Sequence, residues 1–146
     1  MEESINFLTF YKEKFGFKRA DAATYSPLVL AYIGDAVYEL MIRAKIVNDG
    51  NMQVNKLHKK SAGLVKAETQ ANLIKALTSY LNEEELTVYK RGRNAKSATV
   101  AKHATVADYR MATGFEALIG WLFLSEQFER LTELTALALR EIGELT

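Results

Sequence analysis

The chain has 146 residues, of which 49% are hydrophobic and 25% charged, as expected of a single folded globular domain. It has no cysteine, which excludes disulfides and thiolate metal sites and leaves carboxylates and the histidines His58 and His103 as metal ligands. Such ligands favour a hard ion such as Mg²⁺ over zinc. The first residues, MEESINFLTF, are not typical of a signal peptide, and no stretch approaches the roughly 18 apolar residues of a membrane span. We therefore expect a cytoplasmic protein that does not contact a membrane.

The net charge of +1 conceals two basic segments. Residues 51–66 contain no acid and carry Lys56, Lys59, Lys60 and Lys66. Residues 90–107 contain no acid either and carry Lys90, Arg91, Arg93, Lys96 and Lys102. Local clustering of cations can form a binding surface for a polyanion even when the total charge is small. On charge alone, however, solvated helix faces explain both segments at least as well.

The first half of the chain predicts a series of helices. The first 20 residues are amphipathic, with an apolar face formed by Ile5, Leu8, Tyr11 and Phe15. Ser26 and Pro27 are a preferred N-cap and first residue, and the apolar run that follows to Val47 is typical of a buried central helix. Residues 48–51 end that helix, and further helical patterns begin near Val54 and cover residues 67–81.

The second half continues the same pattern. Asn82 and Glu85 have the spacing of a capping box, and the helix that they begin is predicted to end at Gly92. Residues 93–105 have no clear period and predict a loop. Helix returns from about Val106 to about Leu124, and an amphipathic helix that begins near Phe128 follows. No segment has the alternation of a strand, so we predict an all-α single domain.

Three acidic residues interrupt the apolar helices. Asp35 lies in LAYIGDAVYEL with Glu39 one turn later, and Glu116 lies in ATGFEALIGWLFL. A carboxylate in an apolar helix is costly unless it is paired or binds a metal. Gly34 and Gly120 accompany these acids, and a close approach of two helix backbones at the glycines would bring Asp35 and Glu116 together. The alternative is structural ion pairing, of Asp35 with Arg43 or Arg110 and of Glu116 with a lysine.

Together, the segments LAYIGDAVYEL and GFEALIGWLFL resemble the two signature helices of the ribonuclease III family. The resemblance extends from Pro27 to about Glu126, and only one further helix follows, so we expect no separate double-stranded-RNA-binding domain. YKRGRNAKS at 89–97 and YRMATGFEALIG at 109–120 resemble the branch of the family that consists of the catalytic domain only. The expected organisation is an N-terminal helical extension at 1–25 and a ribonuclease III-like catalytic domain at 26–146.

The resemblance implies a homodimeric, Mg²⁺-dependent endonuclease that cuts double-stranded RNA and matures precursor 23S (large-subunit) ribosomal RNA, with a ribosomal protein on the precursor as a further partner. Asp35 matches the catalytic aspartate of the family, and Glu116 matches its metal-binding glutamate. Larger members have further acids at the positions of Ala31, Leu28 and Thr113, and two of their usual four metal-binding carboxylates are therefore absent here. Thr113 and Glu39 are candidates for supporting the metal or its water.

Duplex RNA is recognised mainly through its phosphates and its shape. Given the resemblance, we expect RNA contacts from both basic segments, made by Arg91, Arg93, Asn94, Lys96, Lys56, Lys59, Lys60 and Lys66. The apolar residues Leu30, Ile33, Val37 and Met41 are expected to supply part of a dimer interface.

Two other functions are also compatible with the sequence. One is a catalytically silent relative that binds structured RNA in ribosome assembly, and Mg²⁺-dependent cleavage of a plain duplex would exclude it. The other is a helical protein–protein adaptor that uses its N-terminal helix, and salt-sensitive binding of duplex RNA would argue against it.

Overall fold

The computed structural model describes residues 6–96 and 105–146, and these ranges contain helices and no β-strand. The described α-helices are α1 (Asn6–Lys14), α2 (Pro27–Asp49), α3 (Val54–Val65), α4 (Ala67–Leu77), α5 (Glu83–Asn94), α6 (Val106–Leu124) and α7 (Phe128–Glu141). Short 3₁₀ turns occupy Ala22–Thr24 and Thr78–Tyr80. The prediction of an all-α fold is confirmed. None of the described helices combines the length and the apolar character that crossing a membrane requires.

Side chains at the helix starts bind the free backbone N–H groups there, as the sequence predicts. Ser26 Oγ accepts a hydrogen bond of 3.3 Å from the Val29 amide at the start of α2. At the start of α5, Asn82 Oδ1 accepts from the Glu85 amide at 2.8 Å, while Glu85 Oε1 accepts from the Asn82 amide at 3.0 Å. The predicted capping box is therefore confirmed.

The predicted end of α5 at Gly92 is wrong, because the helix continues to Asn94. Gly92 is buried, and a Cβ atom at this position would lie 2.7 Å from the Cβ of Ala117 and 2.9 Å from the Cα of Gly114. The glycine thus allows α5 and α6 to pack closely and does not end the helix. Arg93 and Asn94 are consequently helical, although the sequence places them in a loop. The predicted loop's residues 97–104, with Lys102 and His103, lie outside the described residues.

α6 is the central helix of the fold, and it packs against α2, α4, α5 and α7. Every residue from Ala112 to Leu122 is buried except Glu116, which is half-buried. The prediction that α2 is the buried central helix is wrong. α2 buries Leu30, Ile42 and other residues of one face, but Tyr32 on another face is 81% exposed. An apolar run in the sequence does not distinguish a central helix from one at the edge of the fold. A helix at the edge can also carry apolar residues, on a face that the rest of its own chain leaves uncovered.

Candidate active site

The two interior acids meet where α2 crosses α6 at a pair of glycines. A Cβ atom on Gly34 would lie 1.7 Å from the backbone oxygen of Glu116, and one on Gly120 would lie 1.9 Å from the backbone oxygen of Leu30. No side chain larger than hydrogen fits at either position without moving the helices apart. Since Leu30 lies near Gly120 and Gly34 near Glu116, the helices run antiparallel. The close approach predicted from the glycines is confirmed.

Glu116 and Asp35 form a carboxyl–carboxylate pair at this crossing. The pKa of Glu116 is raised from its ordinary value of 4.5 to about 8, first because the carboxyl is buried, and then because the negative charge of Asp35 and a hydrogen bond with that residue favour the protonated form. Asp35 itself is exposed, so the pair extends from the interior to the surface. An exposed acid beside a desolvated one is a site where a cation can replace the shared proton.

Gln70 on α4 also influences this pair and is not among the site residues predicted from the sequence. Gln70 is 2% exposed, and its Nε2 donates a hydrogen bond of 2.7 Å to the Val65 carbonyl oxygen. Its side chain also hydrogen-bonds with Glu116, which lowers the pKa of that carboxyl in opposition to the burial. The sequence did contain a signal, because Gln70 has helical spacing with Leu73, Ile74 and Leu77 and so interrupts an apolar face, as Asp35 and Glu116 do.

The alternative explanation of the interior acids was structural ion pairing, of Asp35 with Arg43 or Arg110 and of Glu116 with a lysine. Among the described residues these ion pairs do not form. Arg43 pairs with Glu39 at 2.8 Å, four residues away on the same helix. Within residues 6–96 and 105–146, no salt bridge reaches Asp35 or Glu116. Glu39 is thus held in a surface ion pair with Arg43 and has no described contact with Asp35 or Glu116.

Thr113 is buried on α6, and its hydroxyl donates to the Tyr109 carbonyl oxygen at 2.9 Å. The hydroxyl proton of Thr113 is therefore already used within its own helix. The residue fills a position between packed helices, and only the lone pairs of its oxygen remain available to a water.

The oxygen atoms at the crossing fit a partly hydrated Mg²⁺. The described residues contain no group of three or more histidines, cysteines, aspartates or glutamates arranged to hold a metal, so Asp35 and Glu116 are the only acids at this place. Gln70 Oε1, on the residue that lowers the pKa of Glu116, is buried and has no hydrogen-bond partner among the described residues. Two carboxylates suit an ion that keeps several of its waters.

The lysines of the first basic segment lie on one short helix and just beyond it. Lys56, Lys59 and Lys60 are exposed on α3, and Lys66 is exposed between α3 and α4. Lys66 directly follows Val65, whose carbonyl oxygen is bonded to Gln70. Lys66 thus precedes by four residues Gln70, which lowers the pKa of Glu116.

The fold separates the cations of the second basic segment. Arg93 lies over the ring of Tyr89, at 5.6 Å from its centroid, and its Nε donates to Asn94 Oδ1 at 3.1 Å. Arg91 instead lines a groove of about 470 Å³ together with Glu83, Glu84 and Trp121. The segment itself contains no acid, but the acids at the start of α5 share a groove with Arg91. Lys96 is exposed after the end of α5.

Comparison with known proteins identifies this arrangement. The family model described as the ribonuclease III domain matches residues 28–127, a range that includes both Asp35 and Glu116. The chain belongs to the ribonuclease III family. Like other proteins of that family, it is an endoribonuclease.

Curated relatives place the chain in one branch of the family. Mini-ribonuclease 3 of Clostridium tetani is 53% identical over 84% of this chain and 82% of its own length. Mini-ribonuclease 3 of Thermoanaerobacter is 52% identical over 82% of this chain and 84% of its own. The resemblance to the short branch of the ribonuclease III family is therefore confirmed, and the branch is Mini-ribonuclease 3.

A solved structure agrees with the ribonuclease III fold of the chain. The crystal structure of a protein from Fusobacterium nucleatum is similar with a TM-score of 0.76 and 31% sequence identity. The match covers 84% of this chain and 94% of the other. The helical arrangement that brings α2 and α6 together is thus shared by a chain of substantially different sequence.

Proposed function

We propose that this ribonuclease III-type enzyme cuts double-stranded RNA with Mg²⁺ held by Asp35 and Glu116. The observation that carries the proposal is that these two acids contact one another at the glycine crossing without a basic partner among the described residues. Two neighbouring carboxylates that lack a counter-ion are costly in a folded protein unless they hold a proton or bind a cation. The family assignment supports the same conclusion.

Bound Mg²⁺ supplies an activated water and stabilises the negative charge that develops on the phosphate during hydrolysis. The residues of the chain prepare the place for this chemistry. Glu116 must lose its proton before it can bind the ion, and Asp35 is exposed where RNA can approach. Gly34 and Gly120 fix the distance between the two helices, and therefore between the two carboxylates.

The exposed cations are proposed to bind the phosphates of the duplex. Lys56, Lys59 and Lys60 are exposed on α3 and Lys66 is exposed beyond it, and no acid lies between them in the sequence. Arg91, Arg93, Asn94 and Lys96 are the proposed contacts at the end of α5. Such contacts position the RNA without reading its bases.

The active unit is proposed to be a two-fold homodimer formed along α2. The large exposed apolar residues of that helix are Leu28, Val29, Tyr32, Leu40 and Val47, and the last four lie along one face. An exposed row of this kind is typical of a protein–protein interface, and a two-fold contact along the helix of Asp35 would direct the two sites at strands of opposite polarity. These residues replace Leu30, Ile33, Val37 and Met41 as the proposed interface, because Leu30 is buried and the others are half-buried within the fold.

The finer identity of the substrate rests on the resemblance. We propose precursor 23S ribosomal RNA in the cytoplasm, with a ribosomal protein bound to the precursor as a further partner. Residues 1–25 are proposed as an N-terminal extension and residues 26–146 as the catalytic domain. In support of this division, the family match begins at residue 28, one residue after the start of α2.

The decisive experiment is cleavage of precursor large-subunit RNA and of a plain RNA duplex, with and without Mg²⁺. Asp35→Asn and Glu116→Gln should bind the duplex like the wild type and lose cleavage by about a hundredfold or more, because each removes a charge from the metal site. Glu39→Gln is the matched control and should keep most of the activity, since Glu39 pairs with Arg43. Wild-type cleavage by either site variant would place the active site elsewhere. Absence of cleavage by the wild-type chain would favour the catalytically silent relative.

A further inference from the structure

We propose that the groove between α1 and the end of α6 binds single-stranded RNA, as a strand that continues beyond the duplex at the metal site. The inference rests on the proposed function for the duplex itself and gives that substrate a second contact. None of the residues that line this groove belongs to the acidic pair or to the two basic segments.

The first argument is the aromatic lining of the groove, whose volume is about 340 Å³. Phe17 is 52% exposed, and Tyr11 packs edge-on against it with the ring centroids 5.1 Å apart. A half-exposed ring that a neighbour holds in place offers a flat surface on which a base can stack, whatever the identity of the base. The aromatic lining residues are Tyr11, Phe17, Tyr25, Phe123 and Phe128.

The second argument is the positive charge of the groove. Lys12, Lys18 and Arg19 line it, and Glu126 is its only acid among the described residues. Lys12 pairs with that acid at 3.4 Å. Lys18 and Arg19 are exposed and form no salt bridge in the part of the chain that the structure describes. Unpaired cations beside exposed rings match the phosphates and bases of a single strand.

The third argument is the position of the groove relative to the acidic pair. Phe123 follows Glu116 by seven residues on α6, which is about two turns of helix. The two residues therefore lie on the same side of α6, about 10 Å apart along its axis. A strand that leaves a duplex beside the metal site can follow this side of α6 into the groove.

A single strand fits this combination better than other occupants do. The bases of a duplex are paired and stacked, so they are not free to stack on aromatic side chains as unpaired bases are. An acidic peptide would use Lys18 and Arg19 but not the rings. A second copy of the chain would cover the rings and leave these two cations without a partner of opposite charge.

The test measures binding of RNA to the full chain by fluorescence anisotropy, with a chelator present so that the RNA is not cut. One probe is a single-stranded oligouridine of about ten nucleotides, a length within the range that one binding groove covers. The others are a blunt RNA duplex and the same duplex with a uridine extension of about that length.

Two groove variants are compared with matched controls. Phe17→Leu removes the ring and keeps an apolar side chain, and Phe10→Leu is its control, since Phe10 is 57% exposed and does not line the groove. The second variant combines Lys18→Ala with Arg19→Ala. Its control combines Lys14→Ala with Lys75→Ala, which removes two exposed lysines outside the groove.

We expect the wild type to bind the extended duplex at least about fivefold more tightly than the blunt one, and Phe17→Leu to remove most of this difference. The variant without Lys18 and Arg19 should reduce the slope of log affinity for oligouridine against log salt by about 1.4 units, which corresponds to two phosphate contacts on a single strand. Both controls should behave like the wild type.

Equal affinity of the wild type for the two duplexes would overturn the proposal, as would a full preference for the extended duplex in both folded groove variants. A polyglutamate peptide that binds as tightly as oligouridine would overturn it too, because the groove would then select charge alone. Groove variants that change the sedimentation coefficient of the chain but not its RNA binding would show an interface between copies of the chain instead.

Cleavage of the blunt duplex with Mg²⁺, measured in parallel, separates this inference from the proposed function. If the wild type does not cut the blunt duplex but still prefers the extended one, the proposed function is wrong and the groove remains a single-strand site. If the blunt duplex is cut while the extension adds no affinity, only the role of the groove is wrong.

Discussion

The backbone oxygen of Glu116 lies against Gly34 where α2 crosses α6, and across the same crossing the charge of Asp35 and a hydrogen bond with it help to raise the pKa of Glu116. The residue next to Asp35 therefore fixes the helix that carries Glu116. This relationship makes the separation of the two carboxylates a property of helix packing. It also places two acidic groups where, among the described residues, no basic side chain pairs with them.

The first prediction concerns the stability of the metal-free protein. Because the folded-state pKa of Glu116 is about 8 and its ordinary value is 4.5, the folded chain holds a proton that the unfolded chain releases. This group therefore contributes a loss of stability as the pH rises from 4.5 to about 8, and no further loss above that. Glu116→Gln should remove this contribution. The variant should therefore have a higher free energy of unfolding than the wild type at pH 9, and this difference should be larger at pH 9 than at pH 5.

Urea denaturation of both proteins in the presence of a chelator checks the prediction, with Glu39→Gln as the control for loss of one carboxylate. A wild-type protein that is as stable as Glu116→Gln at pH 9 would contradict it. Added Mg²⁺ should raise the stability of the wild type and have little effect on the variant, since a ligand that binds only the folded state stabilises it.

The second prediction concerns the glycine crossing. Gly34→Ala places a methyl group 1.7 Å from the Glu116 backbone oxygen, so α2 and α6 must separate. We expect a loss of about 3 kcal/mol in the free energy of unfolding, and loss of cleavage in whatever protein remains folded. Gly63→Ala on α3 is the control, because its added Cβ would have no other atom within 4 Å; it should stabilise the fold by up to about 1 kcal/mol. Equal effects of the two substitutions would show that the crossing is not tight.

The third prediction separates the two basic segments. Replacing Lys56, Lys59 and Lys60 with alanine should weaken binding to duplexes of any sequence and reduce the slope of log affinity against log salt by about three units, one for each phosphate contact. Arg91→Ala should reduce the slope by less than a single lysine substitution does, because Glu83 and Glu84 share the groove of Arg91. Fluorescence anisotropy at several salt concentrations measures both. An unchanged slope in the triple variant would show that α3 is an ordinary solvated surface.

The fourth prediction concerns the ion pair between the buried carboxylate of Glu85 and Arg130. Glu85 is 1% exposed and accepts from Arg130 at 2.8 and 2.9 Å, while Arg130 also donates to the Tyr80 carbonyl oxygen. The hydrogen bonds from Arg130 are the main reason why the pKa of Glu85 lies below its ordinary value. A lowered pKa stabilises the folded protein above the ordinary value, and this stabilisation is lost as the pH falls through the folded value.

Arg130→Met should therefore lower the free energy of unfolding at pH 7 by about 3 kcal/mol, because it leaves a buried carboxylate without its partner. The deficit should shrink as the pH falls through the lowered pKa of Glu85, where the wild type loses the same interaction. Arg140→Met is the control, since Arg140 is exposed and bonds only the Thr146 carbonyl oxygen among the described residues. A deficit that stays constant from pH 7 to pH 3 would contradict the role of the ion pair.

The sequence by itself determined the features that depend on neighbours in the chain. Helix periodicity and helix capping both depend on residues only a few positions apart in the chain. The helix starts at Ser26 and Asn82 and the all-α fold were therefore predictable. Asp35 and Glu116 stood out because a charge within an apolar helix violates that same local pattern. The paired glycines even indicated that the two helices meet, since glycine within a helix usually has a packing reason.

Only the tertiary structure decided which face each helix buries and what lies against it. The exposed row on α2, the packing of Gly92 against α6, the pairing of Glu39 with Arg43 and the effect of Gln70 on the pKa of Glu116 all depend on segments far apart in sequence or on a choice among rotamers. A helical period shows that a face is apolar, but the apolar attraction that drives burial has no direction and does not specify the partner. The partner follows from how closely whole helices can pack, which here is set by glycines on α2, α5 and α6.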